Sequence, residues 1–161
     1  MAEEEQLVVF QLANETYGIE ISAVHEIIRL QSVTRVPRTP DFVEGVINLR
    51  GKIVPVIDLH KRFRLPLEEE TPHSRIIVVE VMGVMVGMIV DSVSEVLRLP
   101  VANIEPPPPA ISGGIDTDYL RGVGKWQEKL IILLDLDRVL NKREQKELEN
   151  HVMDQVAVAR E

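Results

Sequence analysis

Cysteine is absent from all 161 residues, which excludes thiol catalysis, thiolate metal centres, disulfides and redox sensing. The absence suits a reducing compartment. Aromatic residues are scarce: one tryptophan, two tyrosines and three phenylalanines leave little with which to stack nucleobases. Positive charge is also in deficit. Lys and Arg number 18 against 26 Asp and Glu, a net charge of −8, with acidic clusters at Glu3-Glu4-Glu5 and Glu68-Glu69-Glu70. Nothing forms the basic stripe that displaces counterions from a phosphate backbone, so no nucleic-acid partner is expected. No apolar run approaches the ~18 residues of a membrane span. The uncharged stretch Val81 to Val90 is interrupted by Gly83 and Gly87. The acidic N-terminus lacks the charged-then-apolar order of a signal peptide. The expectation is a soluble, cytoplasmic chain with no direct membrane insertion.

The residues of familiar enzyme sites are missing as well. His25, His60, His73 and His151 are far apart and show no HExxH or HxH spacing. His60 and His73 fall in turn-like segments and read as exposed. The pairs Asp116-x-Asp118 and Asp135-x-Asp137 invite a cation, but Asp135 repeats the placement of Asp58 at a strand end, where a helix cap explains it. There is no GxSxG elbow, and Ser112-Gly113-Gly114 lacks the phosphate-loop lysine. The run Pro106-Pro107-Pro108-Pro109 reads as a stiff connection. No metal, cofactor or catalysis is expected.

What is present is a repeat. Shifting the sequence by 69 lays Tyr17–Leu30 over Val86–Leu99, with Gly18/Gly87, Val24/Val93, Glu26/Glu95, Arg29/Arg98 and Leu30/Leu99 identical. The same shift lays Leu7-Val8-Val9-Phe10 over Ile76-Ile77-Val78-Val79. A shift of 77 aligns Gly45/Gly122, Val46/Val123, Lys52/Lys129, Asp58/Asp135 and Leu59/Leu136. Two matches in the same order indicate two copies of one unit, 7–75 and 76–140, followed by a tail.

Within a unit the period is that of strands. Tyr17, Ile19 and Ile21 alternate with Gly18 and Glu20, and Asn14-Glu15 supplies a hairpin turn. Ser22–Glu26 reads as one helical turn, and Pro40 opens a second that Gly45 ends. Strands follow at Val46–Leu49 and Ile53–Ile57 around Arg50-Gly51, with Pro55 marking an edge or a bulge. About five short strands per unit make too small a sheet to lie flat, so each unit favours a small closed barrel. Asn141–Glu144 has capping spacing, and Leu148, Val152, Val156 and Ala159 form one stripe. That predicts a C-terminal helix over 141–161, packed on the chain's own barrels.

The segment Phe42–Leu59, with Asn48-Leu49-Arg50-Gly51 followed by Val54-Pro55-Val56-x-Asp58-Leu59, resembles the hallmark of the CheW-like chemotaxis coupling family. Tyr17-Gly18-Ile19 with Val24-x-Glu26-Ile27, and Val86-Gly87 with Val90-Asp91-x-Val93, are similar to the same family, so the likeness spans about 7–140. It implies a mainly β fold of two intertwined five-stranded SH3-like barrels with short helical turns. It also implies a non-enzymatic adaptor whose partners are the regulatory domain of the histidine kinase CheA and the cytoplasmic tip of methyl-accepting receptors. The resemblance puts Val8, Ile21, Val24, Glu26, Ile27 and Arg50 in a receptor-binding groove, and Phe42, Gly45 and Val46 at the kinase face. The chain has no room for a kinase or receiver domain and reads as one free-standing CheW-like domain over 1–161. The alternative is a CheW-like scaffold in a receptor–kinase array outside chemotaxis, such as surface motility. The second copy departs from the pattern with Gly122-Val123-Gly124-Lys125 and lacks the Asn-Leu-Arg-Gly turn. Pattern alone places Val24 and Ile27 one helical turn apart. Arg50 either clamps a carboxylate of its own barrel or meets an acidic partner.

Overall fold

A computed structural model describes residues 3–67, 69–107 and 119–139. In chain order the strands are β1 (Glu4–Leu12), β2 (Glu15–Glu20), β3 (Val24–Arg29), β4 (Val43–Leu49), β5 (Lys52–Asp58), β6 (Arg75–Val81), β7 (Val84–Val90), β8 (Ser92–Pro100), β9 (Ile104–Glu105), β10 (Leu120–Trp126) and β11 (Lys129–Leu134). Among the described residues helical structure is slight: four-residue helices α1 (Leu59–Arg62) and α2 (Leu136–Val139), and 3-10 turns at Ile21–Ala23 and Val101–Asn103. The expected tail helix, the Ser112–Gly114 loop, Asp116 and Asp118 lie outside the described residues.

Each hairpin is closed by two residues with positive φ: Ala13 and Asn14, Arg50 and Gly51, Met82 and Gly83, Gln127 and Glu128. Positive φ at both central positions makes a type I′ turn, whose twist matches that of the flanking strands. The first turn therefore sits one residue earlier than the Asn14-Glu15 expected. At Arg50 and Gly51 the Asn48 side chain supports the turn by accepting the Gly51 N–H at 2.8 Å.

The strands assemble into two sheets, ordered β8-β1-β2-β11-β10-β9 and β3-β6-β7-β5-β4. The repeat explains this order. Each unit contributes an N-terminal hairpin (β1–β2 or β6–β7), then an edge strand (β3 or β8), a second hairpin and a short helix. The N-terminal hairpins are exchanged. Hairpin β1–β2 pairs antiparallel with β8 and parallel with β11, while β6–β7 pairs with β3 and, in parallel, with β5. Neither barrel is therefore the contiguous stretch 7–75 or 76–140; each stretch lends a hairpin to the other. Both sheets curl until their edges meet. The β8 edge continues through the Val101–Asn103 turn into β9 at the opposite edge, and the chain after β3 returns to bridge β4 through Thr34 and Val46.

The exchanged hairpins are buried on both faces, so β1 and β6 read as nearly continuous apolar runs. Val8 and Phe10 face a large core shared by the two barrels, where they join Tyr17, Ile77, Val79 and Met88. Leu7 and Val9 face the interior of one barrel with Leu97, Leu99, Ile131 and Leu133. Ile76 and Val78 do the same in the other, with Ile47, Val54 and Val56.

Three local readings are corrected. Ser22–Glu26 is a 3-10 turn at Ile21–Ala23 leading into strand β3, because the sheet needs an edge strand for β6. The turn after Pro40 closes from Val43 N–H to the Pro40 carbonyl, and Gly45 lies inside β4 at a bulge. Pro55 occupies an interior strand. It is tolerated because its β4 partner Val46 spends its N–H and carbonyl on Thr34, and the parallel ladder to β7 starts only at Val56.

Two substitutions test this packing. A Cβ at Gly45, whose φ is 146°, would stand 2.1 Å from the Thr34 carbonyl oxygen. Gly45→Ala must break the Thr34 bridge or strain the strand, and denaturant unfolding should show a loss of ~2–4 kcal/mol. The Tyr17 hydroxyl is buried without a hydrogen-bond partner, its ring stacked on Phe10 at 5.8 Å, and burial raises its pKa. Tyr17→Phe removes that unpaired group and should leave stability unchanged or higher by up to ~1 kcal/mol. A clear loss would mean the hydroxyl is satisfied.

Candidate partner-binding surface

The edge strand β3 carries three of the six candidate receptor residues, Val24, Glu26 and Ile27. A bulge between Val24 and Glu26 alters the normal alternation: Val24 pairs with Val79, Ile27 with Ile77, and Glu26 with Val78. Directly paired residues share a face, so Val24 and Ile27 both lie on the side of the shared core although they are three residues apart in a strand. Ile21 and Val24 are half-buried against that core, and Ile27 is 38% exposed. Val8 is 1% exposed and belongs to the core itself. It supports the surface from beneath and offers no contact of its own.

Glu26 turns toward the other edge of the sheet. Its carboxylate accepts both guanidinium branches of Arg50, at 2.9 and 3.1 Å. Since β3 and β4 are the two edges of one sheet, this bidentate pair joins the β4–β5 turn to the opposite edge and helps close the barrel. The partners are unequal in exposure, 17% for the Glu26 side chain and 78% for that of Arg50. Of the two roles open to Arg50, the geometry shows the clamp on its own barrel, with most of the cation still facing water.

The repeat places Glu95, Val96 and Gln127 where the first unit has Glu26, Ile27 and Arg50. Val96 is exposed like Ile27, but a glutamine replaces the clamping arginine. That barrel is closed instead by the β9–β10 ladder and by Asn103, whose side-chain amide donates to the Lys125 carbonyl at 3.1 Å.

The candidate kinase residues Phe42, Gly45 and Val46 are all buried. Val46 is held by Thr34, Gly45 fills a site with no room for a Cβ, and Phe42 lies under the Arg62 guanidinium, 4.5 Å from the ring centroid. The same guanidinium is 5.0 Å from the Tyr119 ring, the repeat counterpart of Phe42, and Arg62 Nε donates to the Val139 carbonyl at 2.6 Å. Arg62 thus ties α1 of one barrel to α2 of the other. The residues between and beside the candidates do reach the surface. Val43 and Glu44 line a cleft of about 660 Å³ together with Arg35, Lys61, Leu65 and Leu67.

Sequence reasoning missed a polar link between the barrels. His60 is buried rather than exposed: its Nε2 is 2.7 Å from Asp91 Oδ1 and its Nδ1 is 2.8 Å from the Pro66 carbonyl oxygen. Burial opposes charge on the ring, but Asp91 outweighs it and the His60 pKa is raised. The aspartates at strand ends are caps, as expected: Asp58 Oδ1 accepts His60 N–H and Asp135 Oδ1 accepts Asp137 N–H. Burial pushes the Asp58 carboxyl up against the pull of that N–H. Arg121 donates to both Glu5 and Glu20, fastening β10 to the borrowed hairpin. Among the described residues no group of three His, Asp or Glu side chains is placed to hold a metal ion, and no helix is long and apolar enough to cross a membrane.

Residues 6–144 match the CheW-like domain family. The chemotaxis protein CheW of Klebsiella aerogenes is 39% identical over 146 residues, covering 91% of this chain and 87% of its own. CheW of Treponema pallidum is 36% identical over 154 residues, covering 92% and 89%. The crystal structure of the scaffolding protein TtCheW from Thermoanaerobacter tengcongensis superposes with a TM-score of 0.81 at 44% identity, over 89% of this chain and 92% of that one. The sheet order, the hairpin exchange and these likenesses lead to one assignment: the chain belongs to the CheW-like domain family, a family of coupling scaffolds and not of enzymes.

Proposed function

We propose that this chain is the cytoplasmic adaptor that couples methyl-accepting chemotaxis receptors to the histidine kinase CheA, recruited to receptor arrays at the membrane. The observation that carries the reading is the β3 edge. Ile21, Val24 and Ile27 present a partly exposed apolar strip beside the Glu26–Arg50 pair, whose cation is mostly free to water. A helical hairpin of apolar and acidic character suits such a surface: its apolar side chains cover the strip, and a carboxylate finds Arg50 at the rim. We assign the kinase contact to the barrel end around β4. There Phe42, Gly45 and Val46 fix the strand from within, while Val43 and Glu44 face outward into the adjoining cleft. Allostery through the adaptor requires contacts that differ between the kinase-on and kinase-off states, and two partner faces on the two joined edges of one barrel allow such coupling.

Arg50→Ala separates a signalling role from a structural one. The guanidinium is mostly solvated, so water screens the pair and its removal should cost less than ~1 kcal/mol in stability. In a reconstituted mixture of receptor, kinase and adaptor, the folded variant should show weakened receptor-dependent kinase activation. Full activation by the variant would remove Arg50 from the receptor surface. Ile27→Asp, which places a charge in the apolar strip, should weaken receptor pull-down at least tenfold with kinase binding unchanged. Equal loss of both partners would point to a folding defect instead.

A further inference from the structure

Both ring nitrogens of His60 lie against groups that accept. Nδ1 is 2.8 Å from the Pro66 carbonyl oxygen and Nε2 is 2.7 Å from a carboxylate oxygen of Asp91, with the His60 side chain only 5% exposed. A neutral imidazole has one N–H and one lone pair. Held in this position, its lone pair would face an acceptor at hydrogen-bonding distance. The two contacts are made together only by the imidazolium.

The same carboxylate reaches into the other barrel. Asp91 Oδ2 accepts the Ala13 N–H at 2.9 Å, and the Asp91 N–H donates to the Gln11 carbonyl at 3.1 Å. Gln11 and Ala13 belong to the exchanged β1–β2 hairpin, whereas His60 sits on α1 at the end of β5. His60 also anchors its own loop, because its carbonyl accepts the Leu65 N–H at 2.8 Å. One aspartate and one histidine thus connect the β1–β2 turn, the β7–β8 junction and the loop that follows α1. We infer that the His60–Asp91 contact is a proton-operated clasp between the two barrels, shut while the imidazole carries both protons and released on its Asp91 or Pro66 side when it loses one.

The charged groups around His60 come from several elements. Asp58 caps α1, and Lys61 follows His60 in that helix. Glu44 on β4 pairs with Lys61, and Arg35, Asp41 and Arg64 stand on the walls of the same cleft. Asp91 faces the ring from the β7–β8 junction, and the β1–β2 hairpin presents Gln11 and the Ala13 amide. Burial disfavours the charged ring, but Asp91, the Pro66 carbonyl and Asp58 together raise its pKa above 6.5. The sign follows from linkage. A histidine raised on folding contributes fully below the unfolded value of about 6.5 and loses its contribution as pH rises through the folded value. A pH above the folded value therefore frees the loop carrying Leu65 and Leu67, which form part of the cleft beside β4.

Nuclear magnetic resonance of the histidine rings in the full chain tests this directly, with exposed His25 and His73 as internal references. The clasp predicts that His60 titrates at higher pH than either reference and that the Ala13 amide shifts with the same midpoint. Asp91→Asn supplies a second measurement. Its side-chain oxygen can keep the Ala13 N–H while its amide donates to a neutral His60 Nε2. In that variant the His60 midpoint should fall below those of the references. The melting temperature of the wild type should also drop relative to the variant as pH rises from about 6 to 9. A wild-type His60 midpoint at or below the references, or an Ala13 amide indifferent to the titration, overturns the inference. The wild-type measurement decides the matter even if the variant folds poorly.

Discussion

Two parallel strand pairings, β2 with β11 and β5 with β7, hold the architecture together. Each joins a hairpin of one repeat unit to the body of the other. A single unit of about five short strands has too little interior to be stable alone, and lending a hairpin solves this for both units at once. The lent strands β1 and β6 are then covered on both faces, one by the recipient barrel and one by the core the barrels share. The two barrels cannot separate without stripping a hairpin from each. The domain therefore unfolds as one body, and a change at one barrel is felt by the other through packed side chains and not through a linker.

The polar links across the junction follow the same plan. Arg62 lies between the repeat-related rings of Phe42 and Tyr119, Arg121 fastens β10 to the borrowed hairpin through Glu5 and Glu20, and Asp91 joins that hairpin to His60. All three use a residue of one repeat unit to satisfy groups of the other. The His60 and Arg121 links also place a cation among carboxylates that would otherwise repel one another. Burial disfavours the charged form of both His60 and Arg121, and their carboxylate partners more than compensate.

How much of this could be read from the sequence depends on the range of the interaction. Strands, hairpins and the twofold repeat were legible because alternation, turn residues and self-similarity are local or periodic signals. The Glu26–Arg50 clamp was legible as one of two alternatives, since an arginine unnecessary to its own turn asks for a carboxylate somewhere. The hairpin exchange left only a faint mark: β1 and β6 are apolar at consecutive positions, Leu7 to Phe10 and Ile76 to Val79, as strands covered on both faces must be. Phe42, Gly45 and Val46 were read as surface because they stand in a family signature. A signature is kept by packing as readily as by partners, and at Gly45 the packing is a carbonyl oxygen with no room for a methyl group. The burial of His60 was not legible locally, because its carboxylate partner Asp91 comes from the other repeat unit, 31 residues away.

The two barrels have diverged where their partners would differ. At the β4–β5 turn the first unit keeps Asn48 to hold the loop and Arg50 to reach Glu26; at the corresponding turn the second has Lys125 and Gln127, and its edge is closed by a backbone ladder. A ladder is fixed by backbone geometry, whereas an ion pair with a solvated arginine can exchange its internal carboxylate for one on a partner at little cost in stability. Beside its Thr34–Val46 backbone bridge, the first barrel thus has a closing contact at the β4–β5 turn that a partner can compete for, where the second has contacts to the backbone of β10. Exchange of the hairpins makes the difference consequential: β6, the strand that pairs with the clamped edge β3, belongs to the second unit, so opening or tightening that edge acts directly on a strand continuous with the other half of the molecule.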